Sequence, residues 1–341
     1  MLWIQPCALY AIYYRFYNQL NHFPTLITTD DPNNNNTTSL QLPGLPLLTT
    51  QDLPSFILPT NPFASFPKLF SNMFKNMAKI KWVLANSFYE LEKDVVDSMA
   101  QISPIRPIGP LVPPILLGDS NSSDVGIDLW KPDETCIEWL DERPDSSVVY
   151  VSFGSIAVLS KTQMRSLAEG LRNSGYAFLW VVKEGELPDM FIEEIEGRGL
   201  VVKWSPQIKV LMHPSVGCFV THCGWNSTLE TVSCGVPVIT FPQWSDQPTN
   251  AKLITDVFGV GLTLRMDGDD GEEKIVRSEE VVRCIGEVMG GPKCGELKRR
   301  AMELREAARR AVMETGSSDR NIDDFIKEIT GSDFARDGQP L

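Results

Sequence analysis

The chain has 341 residues, of which 43% are hydrophobic and 22% charged, and its formal net charge at pH 7 is −13. This length exceeds what one ordinary hydrophobic core accommodates, so we expect two domains. The negative charge argues against a nucleic-acid partner, which needs a basic surface, and against an anionic membrane surface.

The first third of the chain has an irregular pattern. The apolar stretch 1–17 lacks a basic start and a small-residue cleavage site, and it predicts a buried helix with an aromatic face. A polar low-complexity loop and proline-punctuated segments follow. We then predict a helix over 64–77, a strand over 82–86, a helix over 89–100 and an interdomain linker over 106–128.

From residue 133 onward, short apolar strands alternate with helices. The strands are predicted at 147–153, 178–182, 200–203, 217–221 and 236–241. The helices are predicted at 161–173, 206–212, 226–234 and 246–257, before charged amphipathic helices at 278–290, 296–313 and 320–329. This alternation predicts a doubly wound α/β domain with a parallel sheet covered on both faces. Ligands of such a domain bind at the carboxyl ends of its strands.

Cysteines and histidines favour neither a disulfide framework nor a metal centre. The seven cysteines include no CxxC spacing, and an odd number in a long chain is typical of reduced intracellular thiols. Three histidines are too few for a histidine-rich metal site. We therefore expect a cytoplasmic protein without a metal.

The junction after the strand 217–221 carries the first candidate site. It reads His222-Cys-Gly-Trp-Asn-Ser-Thr-Leu-Glu230, where a buried strand leads into a helix. Free N–H groups and the helix dipole suit an anion such as phosphate at this position. The candidate donors and close-approach positions are His222, Gly224, Asn226 and Ser227. The alternative is structural, because Ser227 and Glu230 have the spacing of a helix capping box.

Three other strand ends carry side chains suited to parts of one ligand. Trp204 could stack on a base or pack in the core, and Ser155 could donate to a phosphate. Asp246 and Gln247 suit sugar hydroxyls, or form an ordinary helix start. All these strand ends belong to one sheet, so together they predict a ligand with a base, phosphates and a polyol. Neither GxGxxG after a strand nor GxxxxGK[ST] occurs, which disfavours a dinucleotide dehydrogenase and a P-loop NTPase.

Residues 204–247 resemble the complete 44-residue box of plant secondary-product UDP-glycosyltransferases, family 1. The segments 136–155 and 316–326 are similar to other landmarks of that family. Segments 82–99 and 107–119 look closest to the branch that forms glucose esters of carboxylic acids, including indole-3-acetate. The resemblance covers essentially the whole chain.

The resemblance implies a role for each candidate residue. Trp204 would stack on uracil, the backbone of Ser205 would contact the base edge, and Gln207 and Glu230 would hold the ribose hydroxyls. Residues at the diphosphate would be Ser155, His222, Gly224, Asn226 and Ser227. Residues at the sugar would be Trp225, Asp246 and Gln247, the glutamine being typical of glucose-using members.

The resemblance also implies a fold and a reaction. The fold is α/β of the GT-B type, with two facing Rossmann-like domains. We expect a partial acceptor domain with linker over 1–120, a donor domain over 121–330 and a tail over 331–341. UDP-glucose would be the co-substrate, with no metal and no other cofactor. Glucose would be transferred with inversion to a small lipophilic plant metabolite, a carboxylic acid or else a phenol or flavonoid. We expect a monomer whose partners are only these small molecules.

The family's catalytic histidine and aspartate have no counterpart in this sequence. Members carry them in segments that would lie upstream of Met1, so we expect an N-terminally truncated acceptor domain and name no catalytic residue. His22 does not match the catalytic loop. The alternative function is therefore a non-catalytic UDP-sugar-binding remnant. A sugar-nucleotide epimerase of the same architecture is a third interpretation.

Overall fold

The computed structural model describes residues 1–23, 39–59, 61, 65–119, 135–154, 159–182, 187–267 and 274–331. The chain divides into two compact units. The first unit is Met1–Leu111 together with Glu306–Leu341, and the second is Val112–Arg305.

The first unit contains a three-stranded parallel sheet in the order β1-β2-β3. Its strands are β1 (Leu2–Trp3), β2 (Val83–Ala85) and β3 (Ile105–Pro107). Its helices are α1 (Cys7–Tyr17), α2 (Ser65–Lys75), α3 (Tyr89–Met99) and α12 (Ser317–Thr330), with 3-10 turns at Thr50–Asp52, Ser55–Ile57 and Met77–Lys79. The predicted buried helix is confirmed as α1, in which every residue from Cys7 to Tyr13 is buried.

Two strands of this sheet were not predicted. β1 has two residues and β3 three, so neither shows a readable alternation of apolar and polar residues. The interpretation of 106–128 as linker is wrong at its start, because Arg106 and Pro107 belong to β3. Pro107 is tolerated there because β3 is an edge strand and needs no ladder N–H on its open side. The rest of that range contains a 3-10 turn at Pro114–Leu117, and 120–128 lie outside the described residues.

The C-terminal helix α12 packs in the first unit. The Ser318 hydroxyl donates to the carbonyl of Gly109 at 2.5 Å, and the Asn321 amide donates to the carbonyl of Pro107 at 2.7 Å. Phe325 packs edge-on against Trp82. These contacts place residues up to 330 with the first unit, whereas the sequence pattern had grouped them with the donor domain. Nearly all of the predicted tail lies outside the described residues.

The second unit is built on a six-stranded parallel sheet in the order β6-β5-β4-β7-β8-β9. The strands are β4 (Val148–Ser152), β5 (Ala177–Val181), β6 (Gly199–Val202), β7 (Val216–Thr221), β8 (Val238–Thr240) and β9 (Gly261–Thr263). The antiparallel pair β10 (Met266–Asp267) and β11 (Ile275–Val276) stands apart. The helices are α4 (Thr135–Asp141), α5 (Lys161–Asn173), α6 (Phe191–Glu194), α7 (Gln207–Met212), α8 (Trp225–Cys234), α9 (Gln247–Lys252, continued by a π-helical turn Leu253–Val257), α10 (Ser278–Met289) and α11 (Cys294–Val312), which crosses the division between units.

This sheet is covered on both faces, as the apolar runs predicted. Every residue of β4 and β7 is buried. Val149 and Val151 belong to one core cluster, while Val148 and Tyr150 belong to the cluster on the opposite face. The strand order reverses between β4 and β7, and ligands of doubly wound sheets bind outside the carboxyl ends at such a switch point. No described helix has the length and hydropathy needed to cross a bilayer.

Candidate functional site

The imidazole of His222 lies at the switch point, between two glycines. Gly154 follows β4 with φ +75°, and His222 follows the neighbouring strand β7. A Cβ on Gly154 would lie 2.7 Å from Cε1 of His222, and a Cβ on Gly224 would lie 2.8 Å from its Nε2. Any side chain at either position would displace the ring. Gly154 was not among the predicted site residues, although a glycine directly after a buried strand was a readable signal.

The His222 ring is neutral at physiological pH. Burial lowers the pKa of His222 to about 4, because the charged form loses hydration. Its Nδ1 is buried and has no hydrogen-bond partner among the described residues. A neutral imidazole offers one N–H donor and one acceptor. The ring can therefore donate one hydrogen bond to an oxygen of a bound anion.

Helix α8 begins beside this ring. Its N-cap is Gly224, which provides no side-chain cap, so the N–H groups of the first turn have no partner within the helix. The capping-box interpretation of Ser227 and Glu230 is wrong, because the helix starts at Trp225 and Ser227 is already its third residue. Trp225 is buried and Asn226 is exposed. The start of α8 therefore combines N–H groups that have no partner within the helix, the positive end of the helix dipole and the ring of His222.

A hydrogen-bonded cluster joins α7 to α8. The side-chain amide of Gln207 donates to Glu230 Oε2 at 2.6 Å and to Ser227 Oγ at 3.0 Å. The Tyr150 hydroxyl is 2.9 Å from Ser205 Oγ and donates to Gln207 Oε1 at 3.4 Å. The structure thus brings together the two residues predicted at the ribose, 23 positions apart in sequence.

Trp204 stands at the carboxyl end of β6, just before this cluster. Its side chain is half-buried, whereas Ser205 is buried. A tryptophan that packs only partly in the core keeps ring surface available for stacking.

The junction of β8 and α9 holds the predicted sugar residues. Asp246 and Gln247 are both buried. Gln247 Oε1 accepts from the backbone N–H groups of Gln243 at 2.9 Å and Trp244 at 3.2 Å. Its oxygen is thus engaged within the protein, which makes its NH₂ group the part suited to a sugar hydroxyl. Burial raises the pKa of Asp246 above the usual range of an aspartate.

Asn250 connects this junction to the start of α8. Its Nδ2 donates to Asp246 Oδ2 at 2.6 Å and to the carbonyl of Cys223 at 2.8 Å. Asn250 was not predicted as a site residue, although its i, i+4 spacing from Asp246 on a helix was a readable signal.

The remaining sequence predictions have simple outcomes. Ser155 lies outside the described residues. His22 lies in the first unit, beside Phe16 and Lys75 at a cavity of about 600 Å³. In the part of the chain that the structure describes, no group of three metal-ligating side chains converges.

Comparison with known proteins identifies the family. A model of the family described as "UDP-glucoronosyl and UDP-glucosyl transferase" matches residues 78–298. UDP-glycosyltransferase 84B1 of Arabidopsis thaliana is 48% identical, over 97% of this chain and 72% of the relative. Gallate 1-beta-glucosyltransferase 84A24 of Punica granatum is 44% identical, over 96% of this chain and 63% of the relative. The chain belongs to this family.

Solved structures agree with this assignment. Os79 of O. sativa in complex with UDP superposes with a TM-score of 0.83 at 35% identity, over 96% of this chain and 72% of that one. The GT-B fold class and the resemblance to plant family 1 UDP-glycosyltransferases are thereby confirmed. The protein is an enzyme of the UDP-glycosyltransferase class, with a UDP-sugar as co-substrate.

Proposed function

We propose that this UDP-glycosyltransferase uses UDP-glucose and transfers glucose to a small lipophilic plant metabolite, a carboxylic acid, to give a glucose ester. The observation that carries the donor half is the arrangement at one edge of the second unit's sheet. The neutral ring of His222 follows β7, and the start of α8, which has no side-chain cap, comes directly after it. The hydrogen-bonded pair Gln207–Glu230 joins α7 to α8. These groups match the phosphates and the ribose of a UDP-sugar.

The proposed donor contacts follow the geometry along this edge. The ring of Trp204 and the backbone of Ser205 would hold uracil. Gln207 and Glu230 would hold the ribose, their side-chain oxygens accepting from its hydroxyls. The diphosphate would lie at His222, Gly224, Asn226 and Ser227, with Ser155 following β4. The glucose would contact Trp225, Asp246 and Gln247.

Two considerations support a carboxylic acid as acceptor. Among the relatives are a gallate 1-beta-glucosyltransferase and a cinnamate beta-D-glucosyltransferase, and both names describe transfer to a carboxylic acid. A carboxylic acid is also ionised at neutral pH, so it can act as nucleophile without a general base, unlike a phenol or alcohol. One carboxylate oxygen would attack C1 of glucose while the bond from C1 to the β-phosphate oxygen breaks, and UDP would leave with that electron pair.

We further propose that the first unit takes the acceptor and the second the donor. Auxin-type acids such as indole-3-acetate would be among the acceptors. We propose the cytoplasm as the compartment, because none of the seven cysteines is in a disulfide bond. We propose a monomer as the working form.

The test is a direct assay of the purified chain. UDP-glucose is mixed separately with gallate, cinnamate, benzoate, indole-3-acetate and a flavonol, and products are followed by mass spectrometry. We expect a hexose adduct of the acids that hydroxylamine cleaves, since an ester is sensitive to it and a phenolic glucoside is not. Methyl cinnamate, which lacks the carboxylate, is the matched control and should give no product.

The outcomes separate the two halves of the proposal. UDP binding without transfer to any acid would favour a non-catalytic UDP-sugar-binding remnant. Adducts that resist hydroxylamine would move the acceptor to the phenols. Absence of UDP binding would overturn the donor site itself.

A further inference from the structure

We propose that Asn250 is a positioning residue that aims the backbone N–H of Gly224 at the donor diphosphate and orients Asp246 at the sugar. This inference rests on the proposed function of the second unit. It adds a residue that would contact neither substrate and would act through the two groups it holds. It also gives the β7–α8 and β8–α9 junctions a common anchor.

The orientation of the Asn250 side chain is fixed by its surroundings. The residue is fully buried, and its NH₂ group donates to Asp246 Oδ2 at 2.6 Å and to the Cys223 carbonyl at 2.8 Å. Turning the amide over would place Oδ1 against these two acceptors, which is repulsive. Oδ1 itself is buried without a hydrogen-bond partner among the described residues. The two donated hydrogen bonds therefore determine where the side chain points.

The Cys223 carbonyl belongs to a constrained peptide unit. Cys223 has φ +67°, a left-handed conformation that a non-glycine residue adopts only when its surroundings hold it there. The donated hydrogen bond from Asn250 is one such restraint. Without this hydrogen bond, the left-handed backbone conformation at Cys223 is less strongly stabilised.

The direction of the Gly224 N–H follows from the planarity of the peptide. The bond between Cys223 and Gly224 is trans, so its carbonyl and its N–H point in opposite directions. Because the carbonyl points to the buried amide of Asn250, the N–H points away from it. Gly224 is the N-cap of α8 and lies against the ring of His222. We infer that this N–H faces a phosphate bound at the start of α8.

The same NH₂ group restrains the carboxylate of Asp246. Asp246 is the N-cap of α9, next to the proposed sugar position, and its carboxylate accepts a 2.6 Å hydrogen bond from Asn250. One amide hydrogen of Asn250 thus restrains the Cys223–Gly224 peptide, whose N–H would donate to phosphate. The other restrains the Asp246 carboxylate, which would accept from the sugar. Loss of Asn250 is expected to weaken contacts to phosphate and sugar while leaving the base and ribose contacts intact.

The experiment measures binding of uridine, UDP and UDP-glucose by ligand-observed NMR and calorimetry. The variants are Asn250→Ala, which removes both hydrogen bonds, and Asn250→Asp, which keeps the shape but cannot donate when ionised. We expect the Kd for UDP to rise about tenfold in both variants and the Kd for UDP-glucose to rise further. The Kd for uridine, which carries no phosphate, is expected to stay within about twofold.

A double variant separates the two hydrogen bonds. Asp246→Asn combined with Asn250→Asp keeps a hydrogen bond between these positions with donor and acceptor exchanged, but leaves the Cys223 carbonyl without its donor. We expect its UDP affinity to remain as low as that of Asn250→Asp alone. Recovery of wild-type UDP affinity in the double variant would overturn the role of the Cys223 carbonyl.

Ser233→Ala is the matched control, since it removes a buried polar atom of α8 that has no hydrogen-bond partner among the described residues. It should leave all three affinities unchanged. Equal loss of uridine and UDP affinity in Asn250→Ala would show a merely structural role and overturn the proposal. UDP binding that Asn250→Ala leaves unchanged overturns this proposal alone, whereas no UDP binding by the unsubstituted chain overturns the proposed function as well.

Discussion

The side-chain amide of Gln207 donates to the carboxylate of Glu230 at 2.6 Å, which links the start of α7 to the middle of α8. A hydrogen bond to an ionised acceptor is stronger than one between neutral groups, so each side chain restrains the other. The same amide also donates to Ser227. The pair therefore presents an ordered carboxylate, as the binding of a ribose diol requires.

Glu230→Gln tests whether this carboxylate binds the ribose. The substitution keeps the size of the side chain but replaces a charged acceptor, and we expect the Kd for UDP to rise by about 10- to 100-fold, equivalent to ~1.5–3 kcal/mol. Calorimetry with UDP and with 2′,3′-dideoxy-UDP gives the measurement. The dideoxy compound lacks both hydroxyls, so the variant should bind it as the wild type does. Equal weakening for both compounds would remove Glu230 from the ribose site. Glu303→Gln, on the exposed face of α11, is the control.

Gly154→Ala tests whether UDP binding depends on the position of the His222 ring. The new Cβ would lie 2.7 Å from the imidazole, and Gly154 has φ +75°. We expect weaker UDP binding because the ring must move, in addition to a backbone cost of about 1–2 kcal/mol. Calorimetry gives the affinity, and urea unfolding gives the free energy of unfolding.

Gly175→Ala is a matched control for the loss of stability caused by a side chain at a residue with positive φ. Gly175 has nearly the same φ, +79°, but no atom lies within 4 Å of its Cβ position. It should lose similar stability while UDP binding is unchanged. Equal UDP affinities in the two variants would mean that the ring position does not matter for the diphosphate.

The sequence predicted five of the six strands of the second unit's sheet, because they lie in apolar runs that carry a signal. The edge strand β9, of three residues, was not predicted. All five residues of β4 are buried, and the neighbouring helices begin and end within a few residues of the predicted bounds. β1 and β3 were not predicted because strands of two or three residues show no periodicity of apolar and polar residues. Ser227 was open to a capping interpretation because the actual N-cap, Gly224, carries no side chain.

The candidate site was predictable only in part, for a different reason. Gln207 and Glu230 were named separately, yet their hydrogen bond depends on how α7 packs on α8. Gly154 and Asn250 each carried a local signal, but their roles depend on contacts with His222 and Cys223 from other elements, and the local signals do not identify those partners.

Trp204→Ala tests the proposed stacking on uracil. Removal of the ring should weaken UDP binding by ~1–3 kcal/mol, the usual contribution of one base stacked on an aromatic side chain. Trp204→Phe should retain part of the affinity, since a smaller ring still stacks. Tryptophan fluorescence and calorimetry report the binding. Unchanged affinity in Trp204→Ala together with a lower free energy of unfolding would make Trp204 a core residue.

Gln247→Glu tests which end of the glutamine contacts the sugar. Oε1 of Gln247 accepts from two backbone N–H groups, and a glutamate can still accept them but offers no NH₂. We therefore expect a lower kcat/KM for UDP-glucose with UDP affinity near that of the wild type. Steady-state assays give the kcat/KM for UDP-glucose, and calorimetry gives the Kd for UDP. Equal losses for UDP and UDP-glucose would place Gln247 outside the sugar site.

The pH dependence of folding reports on the half-buried ring of His222. Its pKa is about 4 in the folded protein, against ~6.5 for an exposed histidine, so the unfolded chain binds more protons between these values. The stabilising contribution of neutral His222 is therefore complete above pH ~6.5 and is lost progressively as the pH falls toward 4. As the pH falls through this range, urea unfolding should show a smaller loss of unfolding free energy in His222→Asn than in the wild type, because asparagine cannot titrate. The difference between the two proteins removes the effect of other groups such as Asp246.

UDP should shift this titration. A diphosphate next to the ring favours the imidazolium, so the NMR-detected pKa of His222 should rise on addition of UDP. By linkage, UDP affinity should increase as the pH falls from 7 toward the pKa of the complex, until the phosphate itself is protonated. A His222 resonance that titrates near 6.5 in the free protein would contradict the lowered pKa of this ring. A titration that UDP leaves unchanged would place the diphosphate away from His222.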